Sequence, residues 1–174
     1  SLFSSSSATF LLLSAIAICI CACCKHPEVI ETSFGLLSNG EEATLWRIVN
    51  FNGASMEVTD FGCRIVSISM PDRKGLIDEV VVGYGDLESC EKGDRLLGPV
   101  IGRFGTRIDH ASFTLDGVTY MVDANESFDG EPVQCHGGRK GFDQFLWEGE
   151  AIVEEDRAGV RFHRLSPDGE QGFP

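Results

Sequence analysis

The sequence predicts an all-β domain, a sandwich or a barrel, for residues 27–174. Apolar residues in this part recur with a period of two, which is typical of antiparallel strands. Turn-forming residues separate the short apolar runs, and the chain contains 20 glycines. Strands at short spacing with glycine-rich turns favour a sandwich or a barrel.

Runs with this alternation predict the strands in chain order. They cover residues 44–49, 56–61, 66–70, 79–84, 147–153 and 160–165. The segment 71–75 (Pro-Asp-Arg-Lys-Gly) predicts a turn between the third and fourth runs. One short helix is predicted at residues 86–92, with Asp86 as its N-cap and Gly93 as its stop.

The clearest local prediction is a β-hairpin at residues 113–122. Its two arms are joined by Asp116-Gly117. These residue types supply the two positive φ angles that a type I′ turn demands.

Residues 1–26 form a segment that we expect to be an export leader. Its apolar core at residues 10–20 has the length of a signal-peptide h-region, about 7–15 residues. This core is short for a membrane span of about 20 residues. The chain starts at Ser1 rather than at a methionine, so we expect the true start and a basic n-region to precede it.

Ile20-Cys21-Ala22-Cys23 resembles a bacterial lipobox, in which a small residue precedes the cysteine that becomes lipidated. Cys23 is therefore the lipidation candidate, since an acyl chain with a helper can hold a protein on a membrane. A plain cleaved signal and an uncleaved anchor are the alternatives. We expect an exported protein, periplasmic or lipid-anchored to the cell envelope, with any membrane attachment made through the leader.

The formal net charge is -13, from 14 basic and 27 acidic residues. Nucleic-acid binding needs a basic surface that neutralises phosphates, so we expect no nucleic-acid partner. The acidity mainly favours solubility and indicates no particular substrate.

Three cysteines, Cys63, Cys90 and Cys135, lie in the predicted domain. Their number is odd and they form no C-x-x-C pair, which argues against a zinc ribbon, a redox site or a disulfide framework. We expect small buried apolar residues at these positions.

Four motifs of the domain follow one another in an informative order. They are Gly-Arg-Phe-Gly-Thr-Arg-Ile at 102–108, the hairpin, His-Gly-Gly-Arg-Lys-Gly-Phe-Asp at 136–143 with Trp147, and Ser-Pro-Asp-Gly-Glu-Gln-Gly-Phe-Pro at 166–174. In order and approximate spacing they resemble the aldose 1-epimerase (galactose mutarotase) family over residues 34–174. The resemblance implies a galactose-mutarotase-like β-sandwich, a supersandwich, of which this chain is expected to be an incomplete N-terminal part.

The family interconverts the α and β anomers of free hexoses such as galactose and glucose. Ring opening needs a base for the anomeric hydroxyl and an acid for the ring oxygen, followed by rotation and reclosure. Groups that titrate near neutral pH serve best, so a histidine and a tuned carboxylate are expected. The resemblance implies a sugar substrate and neither a metal nor a cofactor.

The resemblance implies three substrate-binding positions. Arg107 matches the family arginine that hydrogen-bonds the sugar, and His136 matches the first of two active-site histidines, expected near the ring oxygen. Thr106 stands where the family usually has asparagine, which exchanges an amide for a single hydroxyl. Taken alone, Arg107 also fits an arginine in a salt bridge, and His136 fits a loop histidine that bonds backbone carbonyls.

Two other histidines match no site of the family. His163 alternates with Val160 and Phe162 on a predicted strand, so we expect it on a polar face. His110 has no assigned role. Residues 123–135 form a segment a few residues longer than is usual in the family. We expect a surface loop there, which is favoured by Asn125, Asp129, Gly130 and Pro132.

Members of the family continue beyond the segment that resembles residues 166–174. They carry there a second histidine as proton donor, a sugar-binding aspartate and a glutamate base. We therefore expect this chain to be part of a larger gene product, and expect the 174 residues alone to lack useful mutarotase activity.

Other functions stay open at the level of the sequence. A non-catalytic carbohydrate-binding β-domain would use the same sandwich without an acid and a base. An epimerase for a phosphorylated hexose needs extra basic residues at the pocket, which the acidic composition disfavours. A structural envelope protein would bind no sugar.

Overall fold

A computed structural model describes residues 26–93 and 96–174, and most of its regular structure is β-strand. The all-β prediction is therefore confirmed. The predicted leader, with Cys23, lies outside the described residues except for its last residue, His26, so the export that it implies stays a prediction. Among the described residues, no helix has the length and apolarity needed to cross a membrane.

The first half of the domain is an antiparallel sheet of five strands in sequential order. The strands are β1 (Glu28–Leu36), β2 (Glu42–Val49), β3 (Ser55–Thr59), β4 (Arg64–Pro71) and β5 (Ile77–Glu79). Each strand pairs with the one before it, so the chain meanders across the sheet. β1 was not predicted, because most of its residues are exposed and its apolar alternation is weak.

The strand predicted at residues 79–84 is wrong, since the observed strand β5 ends at Glu79. The Glu79 carboxylate accepts the Ile68 amide at 2.7 Å, so a side chain takes the place of a strand carbonyl. The chain then leaves the ladder. A Cβ at Gly83 would lie 2.4 Å from the Val66 carbonyl oxygen, which shows how closely the departing backbone crosses β4.

The connection between β3 and β4 ties this sheet to the second half of the chain. The Gly62 amide donates to the Phe145 carbonyl at 2.8 Å, and the Trp147 amide donates to the Asp60 carbonyl at 3.1 Å. The Asp60 carboxylate accepts the Thr44 amide at 2.9 Å. Burial raises the pKa of Asp60. The polar turn is therefore satisfied from inside the protein, as buried polar groups require.

The second half begins with a helix and three small sheets. The helix α1 (Leu87–Lys92) precedes the strands β6 (Arg107–Ile108), β7 (Ser112–Leu115), β8 (Val118–Met121), β9 (Glu126–Phe128), β10 (Glu131–Cys135), β11 (Glu148–Val153) and β12 (Ala158–His163). The sheets are β6-β10-β9, β7-β8 and β11-β12, and each is antiparallel.

The predicted hairpin is confirmed as β7-β8. Asp116 and Gly117 have φ angles of 51° and 81°, which are the positive values that the turn requires. Phe113 stacks on Tyr120 across the strands, with ring centroids 5.5 Å apart. Phe173 packs against the same hairpin and forms a small core with Ala111 and Val122.

The predicted helix is also confirmed. The Asp86 side chain accepts the Ser89 amide at 2.8 Å, and Leu87 and Cys90 face the core. Gly93 ends the helix with a φ of -66°, so a left-handed backbone is not the reason for glycine at this position. Space explains it instead, because a Cβ there would lie 2.4 Å from the Tyr84 ring.

The surface loop predicted at residues 123–135 is wrong. This segment contains the hairpin β9-β10, closed by Asp129 and Gly130 with φ angles of 51° and 85°. Pro132 lies within β10, opposite Ser127. The turn therefore has the same residue types and the same left-handed backbone as the hairpin that was predicted.

The cysteine prediction is confirmed, since Cys63, Cys90 and Cys135 are free and buried. Burial raises the pKa of the Cys63 thiol to about 12. The thiol is therefore uncharged at neutral pH and packs as a small apolar group.

Trp46 joins the five-stranded sheet to the hairpin β11-β12. Its indole meets the Phe162 ring edge to face, with centroids 5.2 Å apart. It also lies against the backbone of Gly149, where an added Cβ would lie 2.6 Å from the indole. Glycine on β11 therefore makes room for the tryptophan on β2.

We predict that Trp46→Ala lowers the free energy of unfolding by about 3–5 kcal/mol, because it empties a buried aromatic site between two sheets. Urea denaturation followed by circular dichroism measures this change. Phe51→Ala, in an exposed turn, is the matched control and should cost far less. Equal losses in the two variants would show that the tryptophan does not join the sheets.

Candidate functional site

The small sheet β6-β10-β9 brings a cation and an anion to the same face. Arg107 on β6 lies opposite Cys135 of β10, and Glu126 on β9 lies opposite Val133 of β10. Cys135 and Val133 are two residues apart on one strand, so their partners point to one side of the sheet. Arg107 and Glu126 therefore meet across the central strand.

Their contact is a hydrogen-bonded ion pair. Arg107 donates from Nε at 3.0 Å and from Nη2 at 2.7 Å, both to the same oxygen, Oε2, of Glu126. The Arg107 side chain is 49% exposed and the Glu126 side chain 42% exposed. The guanidinium lowers the pKa of Glu126, and the carboxylate raises the pKa of Arg107. Both groups are charged at neutral pH.

Cys135 lies below this ion pair in the centre of the sheet. It is buried, and its thiol interacts with the Glu126 carboxylate. Burial, and then the nearby carboxylate, raise the pKa of the thiol, so the sulfur is a neutral donor here. A small residue at this position leaves space for the two long side chains above it.

His136 follows β10 directly and begins a tight turn. Its φ is 54°, and those of Gly137 and Gly138 are 93° and 97°. The Thr106 amide donates to His136 Nδ1 at 3.2 Å. Because Nδ1 is the acceptor of that bond, the proton of the neutral ring is on Nε2, which leaves an N–H donor for a ligand.

Thr106 contributes to the site through its backbone. Its carbonyl accepts the His136 amide at 2.9 Å, and its own amide holds the imidazole ring. Its φ is 69°, a left-handed value that β-branched residues rarely adopt and that asparagine tolerates better. The left-handed backbone therefore restricts which residue types fit at position 106, apart from any contact of the side chain.

Asn125 clamps the turn that carries His136. Its Oδ1 accepts the Cys135 amide at 2.7 Å. Its Nδ2 donates to the carbonyls of Cys135 at 3.0 Å and Gly138 at 3.1 Å. One side chain thus bonds the backbone on both sides of the histidine.

The glycines of the turn permit close approach of two backbone segments. A Cβ at Gly137 would lie 1.7 Å from the Gly102 carbonyl oxygen, and φ at Gly137 is already left-handed. A side chain at this position would therefore push the His136 turn away from the segment that leads to Arg107.

The Ser-Pro-Asp-Gly segment packs on the other side of this turn. Arg103 donates to the Ser166 hydroxyl from Nε and to the Pro167 carbonyl from Nη2, both at 2.7 Å. Gln171 accepts the Lys140 amide through Oε1 at 3.1 Å. The segment is thus bonded both to residue 103 and to the loop after His136.

A nearly buried ion pair fixes the same segment. Arg164 and Glu170 are 10% and 11% exposed, with Nη2 2.6 Å from Oε1. The guanidinium lowers the pKa of Glu170. The central guanidinium carbon of Arg164, Cζ, lies 3.8 Å from the Phe145 ring centroid, so the cation also packs on an aromatic face.

The structure brings the three residues predicted for the site together, since Thr106, Arg107 and His136 share one end of the sheet β6-β10-β9. It places the other two histidines elsewhere. His163 is exposed on β12, as predicted, with Nε2 3.0 Å from Glu148 Oε2. His110 is exposed, with Nδ1 3.6 Å from Glu131 Oε2.

The sequence analysis missed Asn125 and Glu126 as members of the site. Both lie in the segment assigned to a surface loop. Asp129-Gly130 was the available signal, because a hairpin closed there returns residues 131–135 antiparallel to 126–128.

The chemistry offered by this group is that of a polar ligand site. Arg107 keeps Nη1 outside the ion pair, the Glu126 carboxylate can accept further hydrogen bonds besides those from Arg107 and Cys135, and His136 has a ring donor. Polyhydroxylated molecules present hydroxyls that both donate and accept, which suits such a mixture. Within residues 26–93 and 96–174, no three metal-ligating side chains are grouped as an ion would require.

Comparison with known proteins identifies relatives over most of the chain. The family described as aldose 1-epimerase matches residues 44–174. Galactose mutarotase of Rattus norvegicus is 35% identical over 147 residues, which cover 84% of this chain and 41% of that protein. Aldose 1-epimerase of Escherichia coli (strain K12) is 31% identical over 139 residues, covering 80% and 38%.

The fold agrees with a solved relative. Galactose 1-epimerase from Lactobacillus acidophilus NCFM superposes with a TM-score of 0.71 at 19% identity, over 85% of this chain and 41% of that chain. This likeness confirms the predicted sandwich-like all-β fold. The chain spans about two fifths of the length of these relatives.

We predict that Asn125→Asp loosens the His136 turn, because it removes both donors to the turn carbonyls and sets a carboxylate beside them. The free energy of unfolding should fall by about 1–3 kcal/mol. Amide hydrogen exchange of residues 135–138 should accelerate more than exchange elsewhere. Asn52→Asp makes the same change in an exposed turn, and the proposed clamp is contradicted if both variants behave alike.

Proposed function

The chain belongs to the aldose 1-epimerase family, and we propose that it forms part of an enzyme that interconverts the α and β anomers of free hexoses such as galactose and glucose. Thr106, Arg107 and His136 are its proposed substrate-binding residues. The activity of the whole enzyme and its sugar preference belong to this proposal.

One observation carries the proposal most directly. The same ladder that pairs Arg107 with Cys135 also bonds the His136 amide to the Thr106 carbonyl at 2.9 Å. The arginine and the histidine are therefore held on adjoining backbone segments. A single hexose can contact both groups.

Each group has a role that its chemistry supports. The free amino groups of Arg107 suit sugar hydroxyls, because a guanidinium offers several fixed donors. His136 accepts through Nδ1 and so presents Nε2–H, which can donate a hydrogen bond to the ring oxygen. The histidine thus assists ring opening, while the arginine holds the sugar.

The carboxylate of the described site is a poor candidate for the base. The ion pair with Arg107 lowers the pKa of Glu126, so the group is ionised but weakly basic. This favours a second candidate, sugar binding without catalysis by these residues. We expect the 174-residue chain by itself to bind hexoses with little acceleration of mutarotation.

We predict that the natural gene product containing this sequence accelerates the mutarotation of freshly dissolved α-galactose and α-glucose. Polarimetry measures the rate above the spontaneous reaction. His136→Ala should lower the enzymatic rate by about 10²–10³-fold, the range expected when one hydrogen-bond donor to a reacting oxygen is lost. His163→Ala removes an exposed histidine from β12 and should leave the rate unchanged.

The outcomes separate the two candidates. No acceleration by a folded protein that still binds galactose would favour the non-catalytic carbohydrate-binding domain. If the protein neither accelerates the mutarotation of either sugar nor binds it, the proposed function is rejected for these substrates.

A further inference from the structure

We propose that Glu126 is a substrate-positioning residue, with one carboxylate oxygen holding Arg107 and the other accepting a hydrogen bond from a sugar hydroxyl. The inference rests on the proposed function, that hexoses bind at Arg107 and His136. It adds a residue from the hairpin β9-β10 to that site.

The first step is the geometry of the ion pair. Arg107 directs Nε and Nη2 to a single oxygen of Glu126, rather than making two parallel bonds to both oxygens. Nη1 of Arg107 and Oε1 of Glu126 take no part in that contact. The carboxylate also takes a hydrogen bond from the Cys135 thiol, but its two oxygens can accept more bonds than these, and Nη1 stays available as a donor.

The second step is the rigidity of the hairpin that supplies Glu126. Residues 126, 127 and 128 pair in register with 133, 132 and 131. Asn125, immediately before Glu126, is bonded to the backbone at Cys135 and Gly138. The carboxylate is thus carried by a strand whose two ends are both fixed.

The third step is the position of the pair relative to His136. His136 directly follows β10, the strand over which the ion pair lies, and its ring is near enough to interact electrostatically with the Glu126 carboxylate. Both partners of the pair are about half exposed. A sugar held by His136 therefore has the partly exposed Glu126 carboxylate beside it.

The chemistry specifies the ligand class. A sugar hydroxyl donates one hydrogen bond and accepts others. One hydroxyl can then donate a hydrogen bond to Glu126 Oε1, while its neighbour accepts one from Arg107 Nη1. A carboxylate acceptor makes stronger hydrogen bonds than a neutral one, so Glu126 selects for a hydroxyl at one position of the sugar ring.

The test measures the binding of galactose and its monodeoxy analogues to the full chain by NMR titration. Glu126→Ala should weaken galactose binding about tenfold, as expected for loss of a charge-assisted hydrogen bond. One deoxy analogue should bind wild-type protein about tenfold more weakly than galactose, yet bind Glu126→Ala as well as galactose does. Glu126→Gln preserves the shape of the side chain and should weaken binding less.

Glu131→Gln is the matched control, since it neutralises an exposed carboxylate on the same hairpin. It should bind galactose like the wild type. A Glu126→Ala variant that binds galactose as tightly as wild type, or more tightly, would overturn the inference. Equal weakening for galactose and every analogue would also overturn it, because Glu126 would then act on Arg107 alone. If wild-type protein binds no hexose, the proposed function fails and this inference fails with it.

Discussion

Strand β10 is paired on both of its sides, with β6 on one edge and β9 on the other, and the candidate site depends on that double pairing. The pairing with β6 fixes Arg107, the pairing with β9 fixes Glu126, and the end of β10 starts the His136 turn. A slip of one residue in either register would turn a charged side chain to the opposite face. The clamp made by Asn125 bonds the backbone where β10 ends, and so holds the same alignment.

The rest of the domain holds this small sheet in place through backbone contacts that need glycine. Gly62 lies against the backbone of Asp143, where a Cβ would be 2.5 Å from the carbonyl oxygen. Gly137 lies still closer to Gly102. These approaches connect the first sheet to the loop after His136, and that loop to the segment before Arg107. The motifs are therefore glycine-rich for reasons of packing as well as of turn formation.

Much of the fold follows from local sequence rules. Asp116-Gly117 predicted a hairpin, Asp86 predicted a helix start, and alternating apolar residues predicted β2, β11 and β12 to within a few residues. The failures have physical causes. The ladder ends at Glu79 because its side chain replaces a strand bond, and β9 was missed because all three of its residues are exposed. Of the site, Arg107 and His136 could be proposed from motifs, whereas the ion pair with Glu126 depends on a register that only the folded chain reveals.

The central claim is that Arg107 and His136 belong to one sugar-binding site, and chemical-shift mapping with galactose tests it most directly. The account predicts that the Arg107 Nε–H, the His136 ring and the Thr106 amide shift together with one saturation curve. A separate cleft of about 430 Å³, lined in part by Ser38, Glu91 and Lys140, provides the comparison. Shifts confined to that cleft, or different saturation curves for Arg107 and His136, would contradict the account.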